Sequence, residues 1–351
     1  MSTTETLNKT KVKWRCPSNI AIVKYWGKKL VQIPCNSSLS ITLSDSFTEV
    51  EVELSEKTSD KKVELTYYFE GEVSDLFGRK VEVYFENNIE SFPYLKEKAV
   101  TIHSINSFPH SAGIASSASA FGAIALAMLD LAYAQEDKEI DVEFYQKASN
   151  LARLGSGSAC RSLFPSYSMW GQNDLVTGSS NEKAIEVKDI HPSFQDMRDA
   201  ILIIEDEPKK VSSTIGHGLM NNHPYASARF AQANKRTAQL IEILRTGDIE
   251  GFIQISESEA LTLHAMMMTS SEYYLLVKPG TIKAIEKLMQ FRMEYLVPVC
   301  FTLDAGPNLH VLYPAKYEEK VVEFINTELK DTYKKVIFDK EGDGPTKLPV
   351  E

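Results

Sequence analysis

The uncharged run Pro109-His-Ser-Ala-Gly-Ile-Ala-Ser-Ser-Ala118 leads directly into Ser119-Ala-Phe-Gly-Ala-Ile-Ala-Leu-Ala-Met-Leu-Asp-Leu-Ala-Tyr-Ala134. Small and apolar residues follow one another there without a break, which predicts a helix from Ser116 to Ala134 with Ser116 or Ser117 as its N-cap. Gly113 permits a close backbone approach, and two hydroxyls stand where the first helical N–H groups lack partners. Such an end attracts phosphate through its orphan amides and its dipole. The plainer alternative is an ordinary Ser-capped helix. Ser111 to Leu129 carries no formal charge and nears the ~20 residues that a membrane span needs. Its Ser-, Gly- and Ala-rich first half, and Asp130 closing it, favour a buried helix of a soluble protein. No GxxxxGK[ST] loop occurs and no GxGxxG follows a strand, so any nucleotide needs another scaffold.

Before this helix the chain alternates with a period of two. Phe47 to Leu54, Val63 to Phe69 and Val81 to Phe85 put apolar and polar residues on opposite faces, and the breaks Ser55 to Lys61 and Glu70 to Arg79 suit turns. An antiparallel sheet with one wet face is expected. After it, a helix is predicted over Val142 to Leu154, a strand over Ala200 to Ile204, and helices over Tyr225 to Arg245, Ile249 to Met268 and Thr281 to Glu294. Strands over Val299 to Leu303 and Leu309 to Tyr313 follow, and the Gly/Pro-containing tail from Glu341 reads as loose. The pattern is α+β in two lobes, residues 1–190 and 191–351.

Composition narrows the function. The 351 residues include 38 Lys+Arg and 48 Asp+Glu, a formal charge of −10, with 43% hydrophobic residues. A chain this long suggests about two domains and a sizeable core. An acidic chain without a basic block is poorly suited to nucleic acid or an anionic membrane, so positive charge for an anionic ligand must be gathered in a pocket. Cys16, Cys35, Cys160 and Cys300 show neither CxxC nor zinc spacing and read as reduced thiols of a cytoplasmic protein. The polar stretch from Met1 to Lys11 predicts no signal peptide.

Several residues could carry chemistry. Arg161 follows a Gly/Ser turn, where a planar guanidinium could grip a carboxylate or simply pair with a surface Glu. Ser156 and Ser158 flank Gly157 and could donate to the same anion, or be plain turn residues. Asp304 stands between a predicted strand and Gly306-Pro307, as an exposed strand-end acid or a turn former. Lys24, Tyr25 and Lys28 form a short basic and aromatic cluster. Cys160 has no partner base and reads as inert.

Four segments, in order from residue 18 to about 308, carry a resemblance to a known family. Pro109…Gly113-Ile-Ala-Ser116-Ser117-Ala118 resembles the phosphate loop of the GHMP small-molecule kinases. Ser18-Asn-Ile-Ala-Ile-Val-Lys-Tyr-Trp-Gly-Lys28 with Asn36-Ser-Ser-Leu-Ser40, Ala152-Arg-Leu-Gly-Ser-Gly-Ser-Ala-Cys-Arg-Ser162 and Phe301-Thr-Leu-Asp-Ala-Gly-Pro-Asn308 are similar to the motifs of diphosphomevalonate decarboxylases. The resemblance implies a GHMP-kinase fold, with a ribosomal-protein-S5-like N-terminal α/β lobe, a ferredoxin-like C-terminal α+β lobe and the active site in the cleft between them. It implies ATP and Mg²⁺ as cofactors and phosphorylation of the tertiary 3-hydroxyl of mevalonate 5-diphosphate. Loss of phosphate and CO₂ then gives isopentenyl diphosphate.

Residue by residue, the resemblance makes Asp304 the catalytic aspartate and Arg161 the carboxylate-holding arginine, with Asn19 and Lys24 in the same site. It places Pro109, Gly113, Ser116, Ser117 and Ala118 at the ATP phosphates, with Ser117 also near Mg²⁺. Tyr25, Lys28, Ser156, Ser158 and Ser213 engage the substrate and its phosphate tail. Ser213 and Thr214 match a loop near the active site, and His264-Ala265 matches a family helix segment. Relatives are often homodimers, which is the assembly expected here.

The departures fall near the tail. Lys29 to Ile33 replaces a slightly longer loop that begins Arg-Asp, Pro165-Ser166 replaces two glycines, and Asn221 to Pro224 stands where a Thr-Ser pair is frequent. Met266 to Tyr274 lacks an aromatic-Pro-Pro pattern. Two other activities on the same fold therefore stay open, decarboxylation of mevalonate 5-phosphate and a 3-kinase that stops at phosphorylation. A GHMP-fold metabolite sensor that turns nothing over is the remaining alternative, and it would not need Asn19, Lys24, Ser117, Arg161 and Asp304 together.

Overall fold

The structure, a computed structural model, describes residues 10–109, 114–206 and 213–350. Its larger sheet runs in the order Thr346–Leu348, Lys11–Val23, Ser38–Glu56, Lys98–Asn106, Leu65–Phe69, Glu72–Val73. Tyr167–Trp170 is attached to the start of Ser38–Glu56. Pairing is antiparallel except between Leu65–Phe69 and Lys98–Asn106, which run parallel. The chain reaches that parallel register through the helix Asp75–Asn87.

This helix corrects the strand expected over Val81 to Phe85. Ser74 caps it by accepting the Phe77 N–H, and Val81, Tyr84 and Phe85 bury one stripe at helical spacing. Over five residues the alternation Val-Glu-Val-Tyr-Phe satisfies both periods, and packing decides between them.

The helix Ser116–Gln135 crosses the inner face of the sheet. By length and composition it could span a membrane, but 72% of its apolar window is buried inside the fold. Its cap is Ala115, in the left-handed region at φ 40°, and neither Ser116 nor Ser117 caps it as expected. Trp14 Nε1–H donates to the buried Asp130, which also meets Lys347 at 2.8 Å. That contact belongs to a second correction. The tail expected to be loose returns to the first sheet, where Thr346–Leu348 pairs with Arg15 to Lys13. A three-residue edge strand held by main-chain bonds has too little pattern to show in a sequence.

The second sheet is antiparallel, in the order Cys300–Leu303, Leu309–Pro314, Met197–Ile203, Lys335–Lys340. Helices Ala226–Thr246, Ile249–Met268, Pro279–Tyr295 and Glu318–Glu328 complete this half, each within two residues of its expected bounds where one was expected. A single apolar cluster takes Ile20, Ile22, Leu39 and Ile41 from the first sheet. It joins them to Ile201, Leu240, Phe252 and Ile255 from the second half. The two halves are thereby packed on one another, and a cleft lined from both opens at their junction.

Candidate active site

The first strand delivers two residues to that cleft. Its register shifts between Pro17 and Asn19 and again between Ala21 and Val23. Proline offers no ladder N–H, and such bulges re-aim side chains. Beyond the second shift, Lys24 turns into the cleft just past the strand end. Its Nζ is 3.0 Å from Asp304 Oδ1 and 2.5 Å from the Ala21 carbonyl. The lysine side chain is 2% exposed and the aspartate 30%, so a buried cation meets an acid that reaches solvent. Burial pulls the Lys24 pKa down while the Asp304 carboxylate holds it up. Asp304 follows the strand Cys300–Leu303, and its carbonyl accepts from His264 Nε2–H at 3.0 Å.

Arg161 lies in the turn Gly157–Leu163, fully buried, and meets no protein carboxylate among the described residues. It donates to Ser38 Oγ (2.7 Å), Ser40 Oγ (3.0 Å) and Asn19 Oδ1 (3.3 Å). Three of the guanidinium's five N–H groups are thus used by neutral oxygens, and two are left for a ligand. Both N–H groups of Asn19 are taken, since its amide also donates to Ser162 Oγ and to the Ser158 carbonyl. It aims Arg161 and has no donor left over for substrate.

Opposite stands the helix Ser116–Gln135, where Ser117 Oγ lies 3.1 Å from Ser156 Oγ. No side chain caps the helix, although the Ala118 N–H is spent on the Ala115 carbonyl. Together these walls enclose about 340 Å³, and Asn19, Lys24, Tyr25, Lys28, Ser117, Ser156, Ser158, Arg161 and Asp304 all line it. Ser116 faces an adjoining apolar pocket of about 180 Å³ walled by Phe69, Phe77 and Phe121. Ala118 is buried behind the helix start, and Pro109 is exposed outside the cleft. Gly113 and the side chains of Ser213 and Thr214 lie outside the described residues.

Three groups were not legible in the sequence. Glu259, on the helix Ile249–Met268, accepts from both Arg229 and Arg236 and from the Lys24 backbone N–H at 3.0 Å. Gln32 accepts from Lys28 Nζ at 3.2 Å, on a tight turn where Val31 and Gln32 take left-handed φ and Arg153 holds their carbonyls. His217 fills the wall between the Tyr25 and Trp26 rings. Glu259 and His217 reach the cleft only through the long-range meeting of the two halves, whereas Gln32 is set by its own turn and Arg153.

Burial lowers the His217 pKa to about 3, with Lys28 adding to it, and the His264 pKa to about 4. Both values lie below that of an unfolded histidine, so the unfolded chain binds the extra protons and acid favours unfolding. The stability they contribute is present at neutral pH and is lost as pH falls below about 6.5. His217→Gln, which cannot titrate, is therefore expected to lose about 2 kcal/mol less than the wild type between pH 7 and pH 5. Urea denaturation at both pH values checks this, and parallel losses in the two proteins would refute it.

A two-lobed α+β fold joins Ser117, a buried Lys24–Asp304 pair and an arginine with unused N–H groups in one cleft, and solved structures of the GHMP-kinase fold are its structural neighbours. The diphosphomevalonate decarboxylase-like N-terminal domain model matches residues 16–181, and the mevalonate 5-diphosphate decarboxylase C-terminal domain model matches residues 200–348. The diphosphomevalonate decarboxylase of Debaryomyces hansenii is 31% identical over 325 residues, 88% of this chain and 81% of its own. That of Gibberella zeae is 32% identical over 356 residues, 95% and 88% of the two chains. The mevalonate diphosphate decarboxylase structure from Staphylococcus aureus superposes with a TM-score of 0.84 at 25% identity, covering 97% of this chain and 98% of that one. Another, at 27% identity and a TM-score of 0.82 over 97% and 99%, is a complex with MVAPP, AMPPCP and magnesium. The chain belongs to the diphosphomevalonate decarboxylase family. It is an ATP- and Mg²⁺-dependent carboxy-lyase of the mevalonate route to isoprenoids, acting on mevalonate 5-diphosphate.

Proposed function

We propose that Asp304, Lys24 and Arg161 carry the reaction, Asp304 at the substrate 3-hydroxyl, Lys24 at the transferring phosphoryl group and Arg161 at the carboxylate. The observation that supports this most is the 3.0 Å Lys24–Asp304 pair in one cleft with an arginine that has two N–H groups to spare. Asp304 takes the hydroxyl proton as that oxygen receives the γ-phosphoryl of ATP. Lys24, kept charged by Asp304, offsets negative charge that builds on the phosphoryl oxygens. Arg161 then holds the carboxylate in line. As CO₂ leaves, the C–C bonding pair forms the new double bond and phosphate departs with the C–O pair.

No group of three His, Cys, Asp or Glu residues suited to a metal occurs among the described residues. The Ser117 hydroxyl would be the protein's donor to an Mg²⁺ ion that arrives with ATP. Bound there, Mg²⁺ neutralises phosphate charge. The apolar pocket beside Ser117 suits the base of ATP, with Phe121 on the shared wall. Tyr25, Lys28, Ser156 and Ser158 take the diphosphate tail. The enzyme works in the cytoplasm, in keeping with four free thiols, and as a homodimer.

The test is CO₂ release with ATP and Mg²⁺, offering mevalonate 5-diphosphate and mevalonate 5-phosphate in parallel. Release from the diphosphate is the expected result, with the monophosphate at least tenfold poorer in kcat/KM, because a lost charge-assisted hydrogen bond costs about that much. A preference for the monophosphate would transfer the tail to the shorter Lys29–Pro34 loop as the cause. ADP without CO₂ would mean a kinase.

A further inference from the structure

His217 stands on the turn of helix Ser213–Gly218, which is pressed against the cleft so closely that a Cβ on Gly216 would come within 2.3 Å of the Trp26 ring. The imidazole packs on Tyr25 with ring centroids 4.2 Å apart and on Trp26 at 5.0 Å, and it is 7% exposed. Its Nδ1 accepts the Gly27 N–H at 3.0 Å. A neutral ring that accepts at one nitrogen carries its proton on the other, so Nε2 is the N–H. Among the described residues nothing accepts from that N–H, although the ring lines the cleft.

Beside it, Lys28 Nζ donates only to the neutral Gln32 and has no carboxylate partner among the described residues. One wall of the cleft therefore presents a fixed neutral donor without an acceptor and, beside it, a cation without a carboxylate. A second protein acid would have satisfied them, so the arrangement suits an anion that arrives from outside.

We propose that His217 is a specificity-determining residue that donates its Nε2–H to a phosphate oxygen of the substrate tail. The inference rests on the reading that places the tail against Tyr25 and Lys28. The ring is held neutral at working pH by burial and by Lys28, so it contributes a directed hydrogen bond without a charge. The Gly27 N–H fixes the tautomer and Tyr25 and Trp26 fix the ring plane, so the donor is preorganised before substrate enters.

Two substitutions separate a donor from a structural prop. His217→Asn keeps an acceptor within reach of the Gly27 N–H but loses the distal donor, whereas His217→Gln extends an amide N–H to where Nε2 stood. Steady-state CO₂ release gives KM for mevalonate 5-diphosphate, KM for ATP and kcat, and thermal melting checks the fold. We expect H217N to raise KM for mevalonate 5-diphosphate about tenfold to a hundredfold, the worth of one hydrogen bond to a charged group, with KM for ATP and kcat within about threefold. H217Q should recover at least half of that loss on a logarithmic scale. The reverse order, with H217N near wild type and H217Q impaired, would assign the ring a structural role and overturn the proposal, as would an unchanged KM in H217N. Wild-type protein that releases no CO₂ would overturn the tail reading and this inference with it, a result that cannot be confused with the other two.

Discussion

Asp304→Asn is expected to lower the rate of CO₂ release by ~10²–10⁴, the usual worth of a positioned acid or base. The geometry makes the loss twofold in origin. The amide cannot take the 3-hydroxyl proton, and it no longer offers the charge that faces Lys24 Nζ at 3.0 Å. With the carboxylate gone, burial and the Arg161 charge pull the Lys24 pKa down against Glu259 only, and the ammonium is more easily lost. The defect should therefore deepen as pH rises, which a missing base alone would not produce. The fold should not suffer comparably, because Asp304 is 30% exposed while its carbonyl bond to His264 involves only the backbone. Single-turnover measurement of ADP and CO₂ against pH, with a melting curve for each protein, checks all three points. Activity within threefold of wild type would remove Asp304 from the chemistry, and a pH-independent defect would separate Lys24 from it.

Legibility in the sequence followed the range of each interaction. Helix Ile249–Met268 was readable to the residue because its cap is local, Asp248 accepting the Gly251 N–H. The segment Val81 to Phe85 was misread because a five-residue pattern fits two periods, and the deciding contacts lie across the fold. The last strand was invisible because its pairing with Lys13 to Arg15 uses main-chain bonds at the far end of the chain. The same division runs through the site. Lys24, Arg161, Ser117 and Asp304 stand in contiguous motifs, and the cleft brings all four together. His217 and Glu259 stand in stretches without a motif and gain meaning only when the second half of the chain meets the first strand.

Glu259 is where that meeting has its largest energetic consequence. Its carboxylate is 0% exposed and accepts from Arg229 at 2.6 and 2.9 Å, from Arg236 at 2.8 Å and from the Lys24 backbone N–H at 3.0 Å. Glu259→Leu leaves the Arg229 guanidinium, itself 1% exposed, buried and charged with only the neutral oxygens of Gln232 and Lys24 beside it. A buried ion that loses its partner costs ~3–5 kcal/mol, a large part of the ~5–15 kcal/mol that holds a typical domain folded. The single variant should show that loss in urea denaturation. Adding Arg229→Met removes the stranded charge, so the double variant should regain most of the stability, since an apolar pair of similar volume often matches a buried ion pair. Activity should not return with it. Lys24 would still lack the acceptor that fixes its backbone, and a reacting group displaced by about an ångström costs up to ~10²-fold in rate. A stable double variant with kcat reduced about tenfold to a hundredfold is thus the expected outcome. Full recovery of kcat would show that Glu259 serves stability alone, and that the bulged strand and the Asp304 contact suffice to place Lys24.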